Sequence, residues 1–198
     1  MAEAKNVDAK GGDLIPRVAW EEFPEGLKAA LKPKVDRLGY CGEIWQVGAN
    51  LPKSMLSFCN LTEDLKDEMP MKLVELTALT VAGVMGNEYE KNQHERLADK
   101  LGYGREWIAD VNRLNPADAK SLSADERKVQ KFIIAAIYRR GQDSKALFED
   151  AARAVGPQAA VGVLLSIGRC IQHAIFRNVL ELAPPVTSIF SDSPKAKA

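Results

Sequence analysis

The stretch Glu75-Leu-Thr-Ala-Leu-Thr-Val-Ala-Gly-Val-Met-Gly-Asn87-Glu-Tyr-Glu90-Lys-Asn-Gln-His94 decides the fold. Its first half is apolar and follows Pro70, a residue that favours the first turn of a helix; Leu73, Leu76, Thr77, Thr80, Val81 and Val84 recur on one side before Gly86. Its second half begins a new helix. Asn87, with an acid three residues later at Glu90, is an N-cap pattern, and Gly102 after Leu101 is a natural helix end. Asn87, Glu90 and His94 stand at i, i+3 and i+7, so at about 100° per residue their side chains fall within a roughly 60° arc.

The same grammar extends outward in both directions. Ser123 and Glu126 form a capping box ahead of Val129, Phe132, Ile133, Ala136 and Ile137, with Gly141 as the stop. Ser144 to Val155 reads as a third capped unit ended by Gly156. Pro157 starts the longest helix, reaching about Leu182, with Val161, Leu164, Leu165, Gly168, Ile171, Ile175, Val179 and Leu182 at helical period. Upstream, Phe23, Leu27, Leu31, Val35 and Leu38 predict a helix over Glu21 to Leu38 that Pro33 breaks or kinks, and Pro52 opens a shorter apolar segment through Leu61. No segment alternates convincingly at period two, and no hairpin dipeptide occurs. The expected fold class is all-α, a compact helical bundle. Residues 14–190 are expected to form one domain, between a loose N-terminal segment 1–13 and a loose tail 191–198.

Lys+Arg and Asp+Glu both total 27 among 198 residues, so the chain is formally neutral. That balance, without a basic block, speaks against nucleic acid and against an anionic membrane surface. The partners expected are a small-molecule substrate and other copies of the chain. Cys41, Cys59 and Cys170 lie far apart, and with two histidines they give no metal-site spacing, so no metal and no cofactor is expected. The start of the chain carries no signal-type apolar run, and apolar stretches such as Ala159 to Ile167 are too short to span a bilayer, which makes a cytoplasmic location the expectation.

Glu90 and His94, an i,i+4 pair, could move a proton at neutral pH, the carboxylate orienting the imidazole. Asn87 and Glu90 also have a purely structural reading as a cap. On the last helix, Arg169 and His173 form a second i,i+4 pair: Arg169 could fork onto a substrate carboxylate with His173 as a polar wall, or both could mark a helix edge near a subunit interface. Trp45 reads as core.

The intervals resemble those of the carboxymuconolactone decarboxylase and alkylhydroperoxidase D family. Members carry a Glu, twelve residues later a Cys-x-x-Cys, and a His four residues after the second Cys. Here those positions are Glu75, Asn87, Glu90 and His94, with Tyr89 at a site where an aromatic is common, and His94-Glu-Arg-Leu-Ala-Asp-Lys-Leu-Gly102 resembles the family's continuation. The resemblance implies an alkylhydroperoxidase D-like bundle that assembles as a trimer or hexamer. The departure is chemical: Asn87 and Glu90 replace the thiols, and neither is oxidisable or nucleophilic as a thiolate is. The branch implied is therefore the decarboxylase-like one, a cofactor-free lyase or isomerase acting on a small carboxylated lactone or enolisable acid. In that reading His94 is the acid/base, Glu90 orients it, Glu75 is a second carboxylate and Asn87 offers its amide to a developing enolate oxygen. Tyr89, Arg169 and His173 complete the substrate contacts. The alternatives are a non-catalytic binding or assembly protein on the same scaffold and, less favoured by the missing cysteines, a peroxide-reducing protein.

Overall fold

The computed structural model describes residues 14–191. The N-terminal segment 1–13 and all of the tail except Ser191, both expected to be loose, lie outside them. Among the described residues every regular element is helical: a 3-10 turn Trp20–Glu22, then α1 Glu25–Leu38, α2 Glu43–Gly48, α3 Pro52–Glu68, α4 Met71–Val84, α5 Glu88–Lys100, α6 Arg105–Asn112, α7 Ala124–Tyr138, α8 Lys145–Val155 and α9 Pro157–Val179. The all-α expectation holds. The chain divides into two compact units, Met1–Cys59 and Asn60–Ala198, with the boundary inside α3.

In the first unit α1 starts at Glu25 rather than Glu21 and continues through Pro33 to Leu38. The proline removes one N–H that would have bonded the carbonyl of Ala29, and both residues are exposed, so water can serve that carbonyl and the helix survives. Gly39 ends it in the left-handed region at φ 78°, a conformation that costs glycine nothing. Trp45 is buried as expected, its ring 6.3 Å from that of Phe58, with the Lys34 ammonium 4.6 Å above it.

The second unit is organised around α4. This helix packs against α5, α6, α7 and α9, and Leu73 together with every residue from Glu75 to Ala82 is buried. The one-sided stripe expected from the sequence is thus an enveloped helix, and burial on all faces explains why apolar residues occur on every side of it. Three polar side chains share that burial. Thr77 Oγ1 donates to the Leu73 carbonyl at 2.7 Å, and Thr80 Oγ1 accepts from Gln130 Nε2, which also reaches the Val111 carbonyl at 2.8 Å. The remaining one is Glu75.

Helix α6 escaped the sequence reading, since eight residues give barely two turns of period. Its Trp107, Ile108 and Val111 are nonetheless fully packed into the core. One cap differs from expectation and one agrees. Ser144 makes no side-chain cap to α8 and instead donates to the Gln142 carbonyl at 3.0 Å. Ser123 and Glu126 do close a reciprocal box, at 3.1 and 2.7 Å.

Helix α9 departs furthest. Its core-facing residues are Ala159, Ala160, Val163, Ile167, Cys170 and Ala174, whereas Val161, Leu164, Leu165, Ile175 and Val179 are half-exposed or more. Apolar residues run nearly all the way round this helix, so periodicity alone selects no single inward face. As a whole, Pro157–Val179 is long and apolar enough to cross a membrane, unlike the short stretches weighed in the sequence, yet half of its most apolar window is buried and it packs on α4, α7 and α8. That is how a core helix of a bundle reads.

The segment after α9 is tied to the outer side of α5. Asn92 Nδ2 donates to the Val186 carbonyl at 2.9 Å, and Arg96 donates to the carbonyl and hydroxyl of Thr187 at 2.9 and 2.8 Å. The buried Glu95 carboxylate accepts from Ser188 Oγ, from the Ile189 N–H at 3.2 Å and from Asn112 Nδ2 at 2.8 Å. Asn92, Glu95 and Arg96 lie across the helix from Glu90 and His94. One face of α5 therefore fixes the helix while the other carries the polar cluster described next.

Candidate active site

Glu75, Asn87, Tyr89, Glu90, His94, Arg169 and His173 come from α4, α5 and α9, and the second unit brings them into one buried group. Asn87 caps α5 through a 3.2 Å bond from the Glu90 N–H to its Oδ1. The reciprocal half of the box is missing, because the Glu90 carboxylate accepts from Arg169 Nη1 at 2.7 Å. Glu126 also carries a cation, Lys72 at 2.8 Å from its Oε1, but spends its other oxygen on the Ser123 N–H and so keeps its box. Glu90 thus holds the third position of the cap without closing the box, and it bonds Arg169 rather than His94, on which it acts through its charge.

The carboxylate on His94 is that of Glu75. Oε2 of Glu75 lies 2.8 Å from His94 Nδ1, and Glu75 is completely buried while the His94 side chain keeps 16% of its exposure. Burial works against a charge on this ring, but the Glu75 carboxylate and its hydrogen bond outweigh it and raise the His94 pKa above 6.5. His94 Nε2 takes no hydrogen bond among the described residues, so the proton-bearing atom that faces outward from the pair is Nε2.

Arg169 was expected to fork onto a substrate carboxylate. Its guanidinium is engaged within the chain instead: besides Glu90, Nε donates to Thr62 Oγ1 at 3.1 Å and Nη1 lies 3.6 Å from Cys170 Sγ. Burial raises the Glu90 carboxyl, yet the charge of Arg169 overrides it and holds Glu90 at about 2. The Cys170 thiol is pushed up to about 12, by burial and then by the negative charge of Glu90. It is thus held protonated and unreactive.

Asn87 is likewise committed. With Oδ1 on the cap, its Nδ2 is a donor, and it points at His173 Nδ1 at 3.3 Å. The same ring nitrogen lies 3.5 Å from Glu90 Oε1, so His173 stands between the Asn87 amide and the Glu90 carboxylate. The Asn87 amide expected at a developing enolate oxygen is therefore engaged with His173 instead. Tyr89 is buried with its ring 5.8 Å from that of His173, a wall of the cluster. Thr62 belongs to the group with no sequence signal to announce it, and Cys170 only by adjacency to Arg169.

Two buried carboxylate oxygens in this group, Glu75 Oε1 and Glu90 Oε2, have no hydrogen-bond partner. Among the described residues no group of three or more His, Cys, Asp or Glu side chains is arranged to hold a metal ion.

No protein-family model and no curated protein sequence matches the chain. Solved structures do. A variant of the debrominase Bmp8 in complex with 2,3,4-tribromopyrrole superposes with a TM-score of 0.75 at 17% identity, covering 90% of this chain and 95% of that one. Apo Bmp8 gives 0.75 at 16% identity over 87% and 92%. The alkylhydroperoxidase AhpD core of an uncharacterized peroxidase-related protein from Ralstonia eutropha JMP134 gives 0.74 at 13% over 87% and 94%. The chain has the alkylhydroperoxidase D-like fold, the one the spacing from Glu75 to His94 resembles.

Proposed function

We propose that the chain is a cofactor-free acid/base enzyme, a lyase or isomerase that moves a proton on a small enolisable molecule. The observation that carries this reading is the His94–Glu75 pair. A buried carboxylate on Nδ1 fixes the ring's orientation and favours the imidazolium, leaving Nε2 as the transferring atom. The imidazolium gives its proton from Nε2 to one substrate atom, and the neutral ring then takes a proton from a neighbouring carbon, so the enzyme ends as it began. The complex of a similar structure with 2,3,4-tribromopyrrole supports a small-molecule site on this fold. Thiol chemistry is not part of the proposal, since Asn87 and Glu90 stand where the resemblance calls for cysteines and the Cys170 thiol is held protonated.

The test uses α-angelica lactone, a small enolisable lactone, in deuterium oxide. Wild-type enzyme should incorporate deuterium into the lactone or isomerise it. His94→Gln, which keeps a polar helix former, should fold with nearly the same melting temperature and lose about a hundredfold of that rate or more. Equal rates in both proteins would end the reading.

We further propose that copies assemble through the outward face of α9, where Val161, Leu164, Leu165, Ile175 and Val179 form an exposed apolar band. The resemblance implies a trimer or hexamer. Light scattering at micromolar concentration should give a multiple of 21.7 kDa, and a clean monomer mass would refute the assembly.

A further inference from the structure

Each buried carboxylate already faces a basic partner before any ligand arrives. Glu75 faces His94 at 2.8 Å, and Glu90 faces Arg169 at 2.7 Å and His173 at 3.5 Å. Apart from the outward-facing His94 Nε2, the donors described in this cluster are engaged while two acceptors stay open. Arg169 Nη1 and Nε are spent on Glu90 and Thr62, and Asn87 Nδ2 is spent on His173. On the acceptor side Glu75 Oε1 and Glu90 Oε2 are both buried and without a donor. A buried carboxylate oxygen without a donor is costly, so this site favours whatever brings it an N–H or O–H. A ligand carboxylate would bring the opposite: a third anion, no donor, and competition with Glu90 for Arg169.

We infer that the site takes a small uncharged molecule through an N–H or O–H group donated to Glu75 Oε1 or Glu90 Oε2, and that it discriminates against carboxylates. This rests on reading the cluster as the substrate site and deepens the proposed function by naming the substrate class: a neutral enol, phenol or N–H heterocycle rather than a carboxylated lactone. Glu90 is then a specificity residue. It holds Arg169 away from substrate anions, and it presents one of the two open acceptors.

Calorimetry with resorcinol and benzoate at pH 7 tests the inference, since a phenolic hydroxyl titrates near pH 10 and stays neutral while benzoate is anionic. Resorcinol should bind wild-type protein at least about tenfold more tightly than benzoate. Glu90→Gln removes one anion and releases Arg169, so benzoate affinity should rise about tenfold or more while resorcinol weakens. A second readout needs no variant: repeated in two buffers of different ionisation enthalpy, resorcinol should bind wild-type protein with no net proton uptake, and benzoate with uptake approaching one proton. Benzoate binding as tightly as resorcinol, an affinity ratio indifferent to Glu90→Gln, or benzoate binding without proton uptake would each overturn the inference. So would the absence of binding by either molecule, which would assign the open oxygens to trapped water. His94→Gln separates this inference from the proposed function. A preference for resorcinol that survives in that variant, beside turnover that also survives, would sink the catalytic reading and leave the ligand class standing.

Discussion

Arg169→Met should destabilise the protein by about 3–5 kcal/mol at pH 7, the range for removing one partner of a buried ion pair. Methionine keeps much of the arginine stem's volume, so the loss reports charge rather than packing. The substitution leaves the Glu90 carboxylate, whose side chain is 6% exposed, without the guanidinium 2.7 Å away that holds it at about 2. The shift from 4.5 to about 2 corresponds on its own to about 3 kcal/mol. The sign follows from the lowered value. In the wild type this stabilisation is complete above pH 4.5 and is lost as the pH falls towards 2, because the unfolded carboxyl protonates first. In Arg169→Met the stranded carboxylate protonates readily, so the gap between the two proteins should narrow at pH 3. Glu90→Gln in the Arg169→Met background should recover much of the loss at pH 7, since no charge then remains unpaired. Urea midpoints at the two pH values decide the matter. A gap below about 1 kcal/mol at pH 7 would mean that Glu90 is solvated well enough to do without Arg169.

Glu75→Gln should have the largest effect on turnover of any change that preserves shape. Glutamine is nearly isosteric at a position that is completely buried in the enveloped helix α4, and its amide oxygen can still accept from His94 Nδ1. What disappears is the negative charge that favours the imidazolium. Turnover should fall about a hundredfold or more at neutral pH, as expected when a general acid loses its protonated form. The activity that remains should die away at lower pH than in the wild type, because the imidazolium is lost as pH rises through a pKa that Glu75 no longer raises. The stability effect carries the same sign. The pair's contribution is complete below pH 6.5 and is lost as the pH rises through the folded value, so the cost of Glu75→Gln should be smallest in alkaline solution. Rate profiles and thermal melts across pH 5 to 9 measure both.

Most of the architecture was legible because it rests on local chemistry. Asn87, Ser123, Gly102 and Gly156 punctuate helices through bonds made within a few residues, and those boundaries stand within a residue or two. The arc shared by Asn87, Glu90 and His94 follows from helical pitch alone. The pairing within the site was not legible, since it depends on partners distant in the chain. Glu75 lies 19 residues from His94 and Arg169 lies 79 from Glu90, and only the packing of α4 and α9 against α5 determines which carboxylate meets which base. Spacing favoured Glu90 for His94 because i,i+4 neighbours are near on an isolated helix, but a buried guanidinium is the stronger claimant. Thr62 is an ordinary helical threonine in sequence and becomes a site residue only through its bond to Arg169. On α9 apolar residues fall on both faces, so period alone does not say which of them point outward. The tie from Val186 to Ile189 onto α5 is held by polar bonds to Asn92, Glu95 and Arg96, a pattern without periodicity to reveal it.

The central claim is that Glu75, not Glu90, sets the protonation of His94. Its most direct measurement is the titration of the His94 ring by nitrogen-15 and proton NMR in the wild type, Glu75→Gln and Glu90→Gln. The structure predicts a wild-type pKa above 6.5, a clear fall in Glu75→Gln, and a smaller fall in Glu90→Gln, whose charge is the lesser cause. A His94 that titrates at or below 6.5 in the wild type, or that moves as far with Glu90→Gln as with Glu75→Gln, would contradict the account.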